Sequence, residues 1–207
     1  MKIVLIEPYF SGSHKSWLEG YSKYSKNDIY ILSLPGRFWK WRMHGGAITL
    51  AKKYNNLNIS PDLILVTDML NLPVFQSLIK YNCPICIYFH ENQFTYPWSK
   101  LDKDVELQRD KHYGFINYSS ALSADHVLFN SHFHLNSFFQ GLDNFLVQFP
   151  DYKGTENIEL IKNKSSVLDI GIDLNQFNSF KTNKNNSIPL ILWNHRWEYD
   201  KNPELFF

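Results

Sequence analysis

Pro84-Ile85-Cys86-Ile87-Tyr88-Phe89 runs directly into His90-Glu91-Asn92-Gln93. An apolar run this short, opened by proline and closed by a polar loop, reads as a strand buried on both faces. The pattern recurs at Lys2–Ile6, Ile29–Leu34, Pro61–Thr67, His126–Phe129 and Ser166–Ile170. Helix-period segments lie between these runs. Trp17, Leu18, Tyr21 and Tyr24 fall at helical spacing, and Gly45–Tyr54 continues as a helix. Asn71–Lys80 carries Pro73 in its first turn, where a missing N–H costs nothing. Asp104–Ser123 reads as one long helix, and Leu135, Phe138, Phe139, Leu142, Phe145 and Leu146 form a core-facing stripe. Buried strands alternating with helices define an α/β, Rossmann-like, doubly wound parallel sheet. Ligands of such sheets bind beyond the C-terminal ends of the strands, which selects residues 7–14, 90–98 and 130–134.

Domain organisation follows from the last forty residues. Residues 1–178 read as one domain and 179–188 as a polar linker. Pro189-Leu190-Ile191-Leu192-Trp193 reads as a strand, followed by a helix start near Asn202-Pro203-Glu204. Residues 189–207 are therefore expected to open a second domain within a longer enzyme.

With 207 residues, 44% apolar and 20% charged, the chain has a globular composition. No run approaches the roughly 18 apolar residues of a membrane helix. Met1–Ile6 turns polar at Glu7, too soon for a signal peptide, so a cytoplasmic location and no membrane partner are expected. The net charge of +1 argues against bulk electrostatic binding of nucleic acid, but it hides an asymmetry. Residues 1–60 carry a balance of +6 and residues 61–207 one of −5, which allows a local basic surface near the N-terminus. Cys83 and Cys86 have CxxC spacing, yet positions three apart on a strand point to opposite faces. They read as structural.

The chemistry-bearing candidates sit at the ligand edge. Gly12 would let backbone approach a ligand, and Ser13 and His14 open a helix whose N-terminus favours an anion; from these residues alone a simple turn with a Ser cap is the better reading. His90 and Glu91 are candidates for catalysis, His90 donating to a sugar hydroxyl or phosphate and Glu91 orienting it or binding a hydroxyl. Asn92, Gln93, Asn130 and Ser131 are candidate sugar or acceptor contacts, with Asn130 or Ser131 alternatively capping the following helix. His132 and His134 do not share a helix face, and no metal-ligand spacing appears, so no metal is assigned. Arg196 and Lys201 are cations that could hold a diphosphate leaving group. Arg37-Phe38-Trp39-Lys40-Trp41-Arg42-Met43-His44 packs three cations and three aromatics into eight residues with no acid. That interleaving suits unpaired RNA, with Arg37, Lys40 and Arg42 on phosphates and Trp39 or Trp41 stacked on a base; the alternative is a loop whose Trp rings cover the core edge while the basic stems reach solvent.

Several of these pieces, in this order, resemble the retaining GT-B glycosyltransferases. Ala124-Asp125-His126-Val127-Leu128-Phe129-Asn130-Ser131 is similar to a recurrent strand of that class. Val167-Leu168-Asp169-Ile170-Gly171-Ile172-Asp173 with Phe177 resembles the close of its first domain. Leu190–Lys201 resembles the opening of the second, with His195-Arg196 and Lys201-Asn202 where Gly-Arg and Lys-Gly are usual. More narrowly, Glu7–His14, Arg37–Gly46, His90–Pro97 and His195–Glu204 resemble the tRNA-queuosine α-mannosyltransferase family. The resemblance implies transfer of mannose from GDP-mannose to the cyclopentenediol of queuosine in the tRNA-Asp anticodon, with retention and without a metal or other cofactor. It places the diphosphate at Gly12, Ser13 and His14, makes His90 the contact to the transferred sugar, and implies a second, nucleotide-holding domain. Two alternatives stay open: a non-catalytic tRNA- or nucleotide-binding domain, and a GT-B enzyme with a lipid or glycan acceptor.

Overall fold

The computed structural model describes residues 1–80, 83–99, 102–107, 109–180, 188 and 190–207. The strands are β1 (Lys2–Phe10), β2 (Asp28–Pro35), β3 (Leu63–Thr67), β4 (Ile85–Phe89), β5 (His126–Phe129) and β6 (Ser165–Val167). The helices are α1 (Gly12–Tyr24), α2 (Trp39–Asn55), α3 (Leu72–Leu78), α4 (Lys103–Glu106), α5 (Lys111–Ser123), α6 (His132–Leu146), α7 (Asn157–Lys162) and α8 (Pro203–Phe206). Short 3-10 turns lie at Leu174–Phe180 and Tyr199–Lys201. All strand pairings are parallel, in the order β2-β1-β3-β4-β5-β6. The expected α/β class is therefore observed. The order reverses between β1 and β3, and a doubly wound sheet binds its ligand in the crevice at that switch point.

Alternation along each strand divides the core. Val4, Ile6, Ile64, Val66, Ile85, Ile87, Phe89, Val127 and Phe129 face one layer, built from α2, α3, α5, α6 and α7. Ile3, Leu5, Leu65 and Tyr88 face the other side, where α1 contributes Leu18, Trp17 and Tyr21. Cys83 packs with the first layer and Cys86 with the second, so the two thiols do lie on opposite faces. No helix among the described residues is long and apolar enough to cross a membrane.

The structure departs from expectation in five places. β1 continues past Ile6 to Phe10, with a bulge between Glu7 and Phe10, which makes Glu7 a strand residue paired with Ser33. α2 begins at Trp39, so Trp39–His44 is helical. The expected helix Asp104–Ser123 is broken into α4 and α5. There the side chain of Asp104 accepts from Tyr113 Oη and pairs with Lys40, and these tertiary bonds override helix propensity. β6 is shorter than Ser166–Ile170; after Leu168 N bonds Phe129 O, the chain leaves the sheet. Leu190–Trp193 pairs with no strand among the described residues, and Leu190 and Leu192 are exposed. Pro189 and most of the linker, residues 181–187, lie outside the described residues.

Side-chain caps fix the starts of α3 and α6. Asn71 accepts from Val74 N at the start of α3, with Pro73 in the first turn as expected. Ser131 Oγ accepts from His134 N and caps α6. Ser131→Ala should cost about 1 kcal/mol, read as a lower urea midpoint with an unchanged slope; an unchanged midpoint would contradict the capping role.

Candidate active site

The loops after β1, β3, β4 and β5 meet at the switch point. The first is shaped by Gly12, whose φ of +52° suits a residue without a side chain and starts α1. Gly36, after β2, is required by close approach: a Cβ there would stand 2.1 Å from Ser11 Cβ. The two loops therefore interlock and hold the first turn of α1 in place.

That turn delivers His14, 8% exposed, against Glu7, 0% exposed. His14 Nδ1 donates to Glu7 Oε2 at 2.9 Å, and Tyr9 N donates to Glu7 Oε1 at 2.7 Å. Burial alone would lower the His14 pKa, but the Glu7 hydrogen bond and charge, with Asp68 and Glu91 nearby, lift it to about 9. The ring of His90 lies 4.3 Å from that of His14, centroid to centroid, and is also flanked by Trp17 and Tyr88. Burial and the two neighbouring imidazoles, of His14 and His134, push His90 down to about 3. One imidazole is thus cationic at neutral pH and the other neutral. Glu7, His14 and His90 offer ligand atoms within 4.8 Å of one another. Each Glu7 oxygen accepts one hydrogen bond, from Tyr9 N and from His14 Nδ1.

Asp68, 1% exposed, closes the floor beyond β3 and accepts from His90 N at 2.9 Å. Burial drives its carboxyl well above the usual range, with His14 pulling the other way. Asn117, fully buried on α5, donates to Asp68 O and accepts from Gln93 N, tying the β3 and β4 loops together. Glu91 is raised by burial and held back by His14; Gln93 Nε2 donates to it at 3.3 Å.

Over this floor lies a cleft of about 660 Å³. Its lining includes Gly12, Ser13, His14, Glu91, Gln93 and Arg196, together with Trp39, Tyr96, Trp98 and Asp102. Lys201 bonds Asp200 at 2.8 Å and acts electrostatically on Glu91.

The residues singled out in the sequence fare differently. His90 sits behind His14 rather than in the cleft wall, and its Nε2 is buried without a partner among the described residues. Gln93 Oε1 is in the same state. Asn92, Asn130 and Ser131 do not line the cleft, because their side chains build the loops. Asn92 Oδ1 accepts from Phe94 N and Thr95 N. Asn130 Nδ2 donates to His90 O at 2.8 Å, and its Oδ1 takes Ser131 Oγ and His134 Nδ1. The basic aromatic segment also divides. Lys40 is locked to Asp102 at 2.6 Å and to Asp104, 5.7 and 5.5 Å from the rings of Trp39 and Trp98. Trp39 faces the cleft, Trp41 is 64% exposed, Arg37 is exposed, and Arg42 Nε reaches Pro35 O. Sequence reading placed Glu7 and Trp98 inside the selected loops without giving them a role, and it missed Asp68, Asn117 and Asp102. A charged residue at the end of a buried strand was the available signal for Glu7 and Asp68.

A parallel sheet with two imidazoles and several carboxylates gathered at its switch point defines a Rossmann-like α/β domain with a polar cleft at its ligand edge. Residues 2–172 match the family described as tRNA-queuosine alpha-mannosyltransferase N-terminal. The chain is also 34% identical, over 217 aligned positions, to the tRNA-queuosine alpha-mannosyltransferase of Drosophila melanogaster. That alignment covers 98% of this chain and 55% of the relative. The chain belongs to the tRNA-queuosine alpha-mannosyltransferase family, in the part that carries its N-terminal domain.

Proposed function

We propose that this domain belongs to a GT-B glycosyltransferase that moves mannose from GDP-mannose to the cyclopentenediol of queuosine in the tRNA-Asp anticodon. The transfer retains the α configuration and takes place in the cytoplasm. The C1–O bond to the diphosphate breaks, and a bond from C1 to the acceptor oxygen forms on the same face. The acceptor proton passes to the leaving phosphate oxygen, so no side chain needs to remove it. His14, with Ser13 and Gly12, meets the diphosphate, and Arg196 and Lys201 stabilise the charge that develops on it. His90 is assigned the contact to the transferred sugar, which its buried Nε2 makes once the ring is uncovered on binding, and Glu91 and Gln93 take its hydroxyls. The nucleotide is held by a second domain that closes over the cleft and excludes water as a competing acceptor. This reading assigns no metal.

The observation that carries the proposal, beyond family membership, is the cleft itself. Its lining joins a cationic imidazole and Arg196 with two indoles, a combination that suits a phosphorylated sugar and a stacked base. The test incubates the full-length protein with queuosine-containing tRNA and a panel of nucleotide sugars, followed by nucleoside mass spectrometry. One added hexose with GDP-mannose is expected; transfer only from uridine-linked sugars would displace the assigned donor.

A further inference from the structure

Glu7 has no place in the reaction just described, yet it is the most costly residue in the sheet. Its side chain is 0% exposed and lies in the strand beside the switch point. A carboxylate removed from water must be compensated by charge or by hydrogen bonds. One backbone N–H, from Tyr9, and one imidazole, His14, are the partners it has among the described residues.

We propose that Glu7 is a positioning residue: from inside the sheet it holds Nδ1 of His14 and sets a buried negative charge against the ring, so that the first turn of α1 presents Nε2 to a diphosphate. The role rests on the proposed function only in the identity of that anion. With Nδ1 bonded to Glu7, Nε2 is the nitrogen left for a ligand. Protonated, it donates to a phosphate oxygen; deprotonated, it is an acceptor and repels one. The charge of His14 therefore decides whether this turn attracts or rejects the ligand. Burial and the N-terminal end of α1 both oppose a cation there. The groups facing the ring are Glu7 from β1, Asp68 after β3, and His90 and Glu91 after β4, with the edge of Tyr9 at 6.2 Å between centroids. Of these, Glu7 alone makes a hydrogen bond to it. His90 stays neutral beside the cation, which leaves it free to serve as an uncharged hydrogen-bond partner.

The test uses the full-length protein with labelled histidine rings, the His14 resonance being assigned through its loss in His14→Asn. In the wild type, His14 should titrate near 9; in Glu7→Gln it should titrate below the ordinary 6.5, because the charge is gone and burial remains. Affinity for inorganic pyrophosphate at pH 8 should fall roughly tenfold in Glu7→Gln and recover towards the wild-type value at pH 5.5. A purely structural role for Glu7 would lower affinity equally at both pH values. An unchanged His14 titration in Glu7→Gln overturns the proposal. A lowered titration with unchanged pyrophosphate affinity leaves the hold of Glu7 on His14 standing and removes the diphosphate contact taken from the proposed function. Should Glu7→Gln fail to fold, the wild-type titration decides alone: a midpoint at or below 6.5 overturns the proposal and one near 9 supports it.

Discussion

Replacing His90 with alanine in the full-length protein is expected to reduce mannosyl transfer by on the order of 10²–10³-fold or more, the cost of losing one hydrogen-bond donor to the transition state. The fold should survive. His90 is neutral at working pH, its Nε2 is buried without a partner, and its backbone carbonyl, which Asn130 holds, is retained in alanine. Removing an unsatisfied polar atom relieves a desolvation cost and offsets part of the packing lost against Trp17 and Tyr88. Transfer rates read by nucleoside mass spectrometry, beside a thermal melt, separate the two effects. Near-normal turnover in a folded variant would remove His90 from the site.

The second large effect concerns RNA. Arg37 and Trp41 are exposed, Arg42 lies beside them, and all belong to the +6 third of the chain. Phe38 between them is 73% exposed at a φ of +56°, a conformation costly for a bulky side chain and one that clusters at functional sites. Arg37→Ala with Arg42→Ala should weaken tRNA binding and reduce the magnitude of its salt slope by about 1.5, from roughly 0.7–0.9 per phosphate contact. Adding Trp41→Ala should cost a further 1–3 kcal/mol or so if its ring stacks on a base. Lys40→Ala should behave differently. It leaves Asp102 and Asp104 without their shared cation and lowers the melting temperature, with little change in salt slope. Filter binding across a salt series checks both; wild-type affinity and slope in the double variant would mean that this segment is not the RNA contact.

Much of the sheet was legible because buried parallel strands are apolar throughout. β4 and β5 fall where their apolar runs place them, and α6 follows its stripe. What was not legible was set by contacts distant in sequence. The break between α4 and α5 depends on Lys40, some sixty residues earlier. The fates of Asn92, Asn130 and Ser131 show the same limit at the site. Their residue types suit sugar hydroxyls and loop capping equally, and the backbone geometry that decides between the two is tertiary. The ligand-edge rule located the loops after β1, β4 and β5. It passed over the loop after β3, because the strand order that makes β1 and β3 the switch point appears only in the folded sheet. Glu7 was hidden by a strand longer than its apolar run. Glu7 continues the alternation of Ile3 and Leu5 onto the α1 face, and a carboxylate there breaks the apolar pattern by which a buried strand is read.

The most direct measurement compares two acceptors that differ at one nucleoside: tRNA-Asp carrying queuosine, and the same tRNA with guanosine in its place. Each is incubated with the full-length protein and GDP-mannose and digested to nucleosides for mass spectrometry. One hexose should appear on queuosine and none on the guanosine tRNA, with the product lost in His90→Ala. Equal labelling of both tRNAs, or none of either under conditions where the protein is folded and binds the donor, would contradict the assignment.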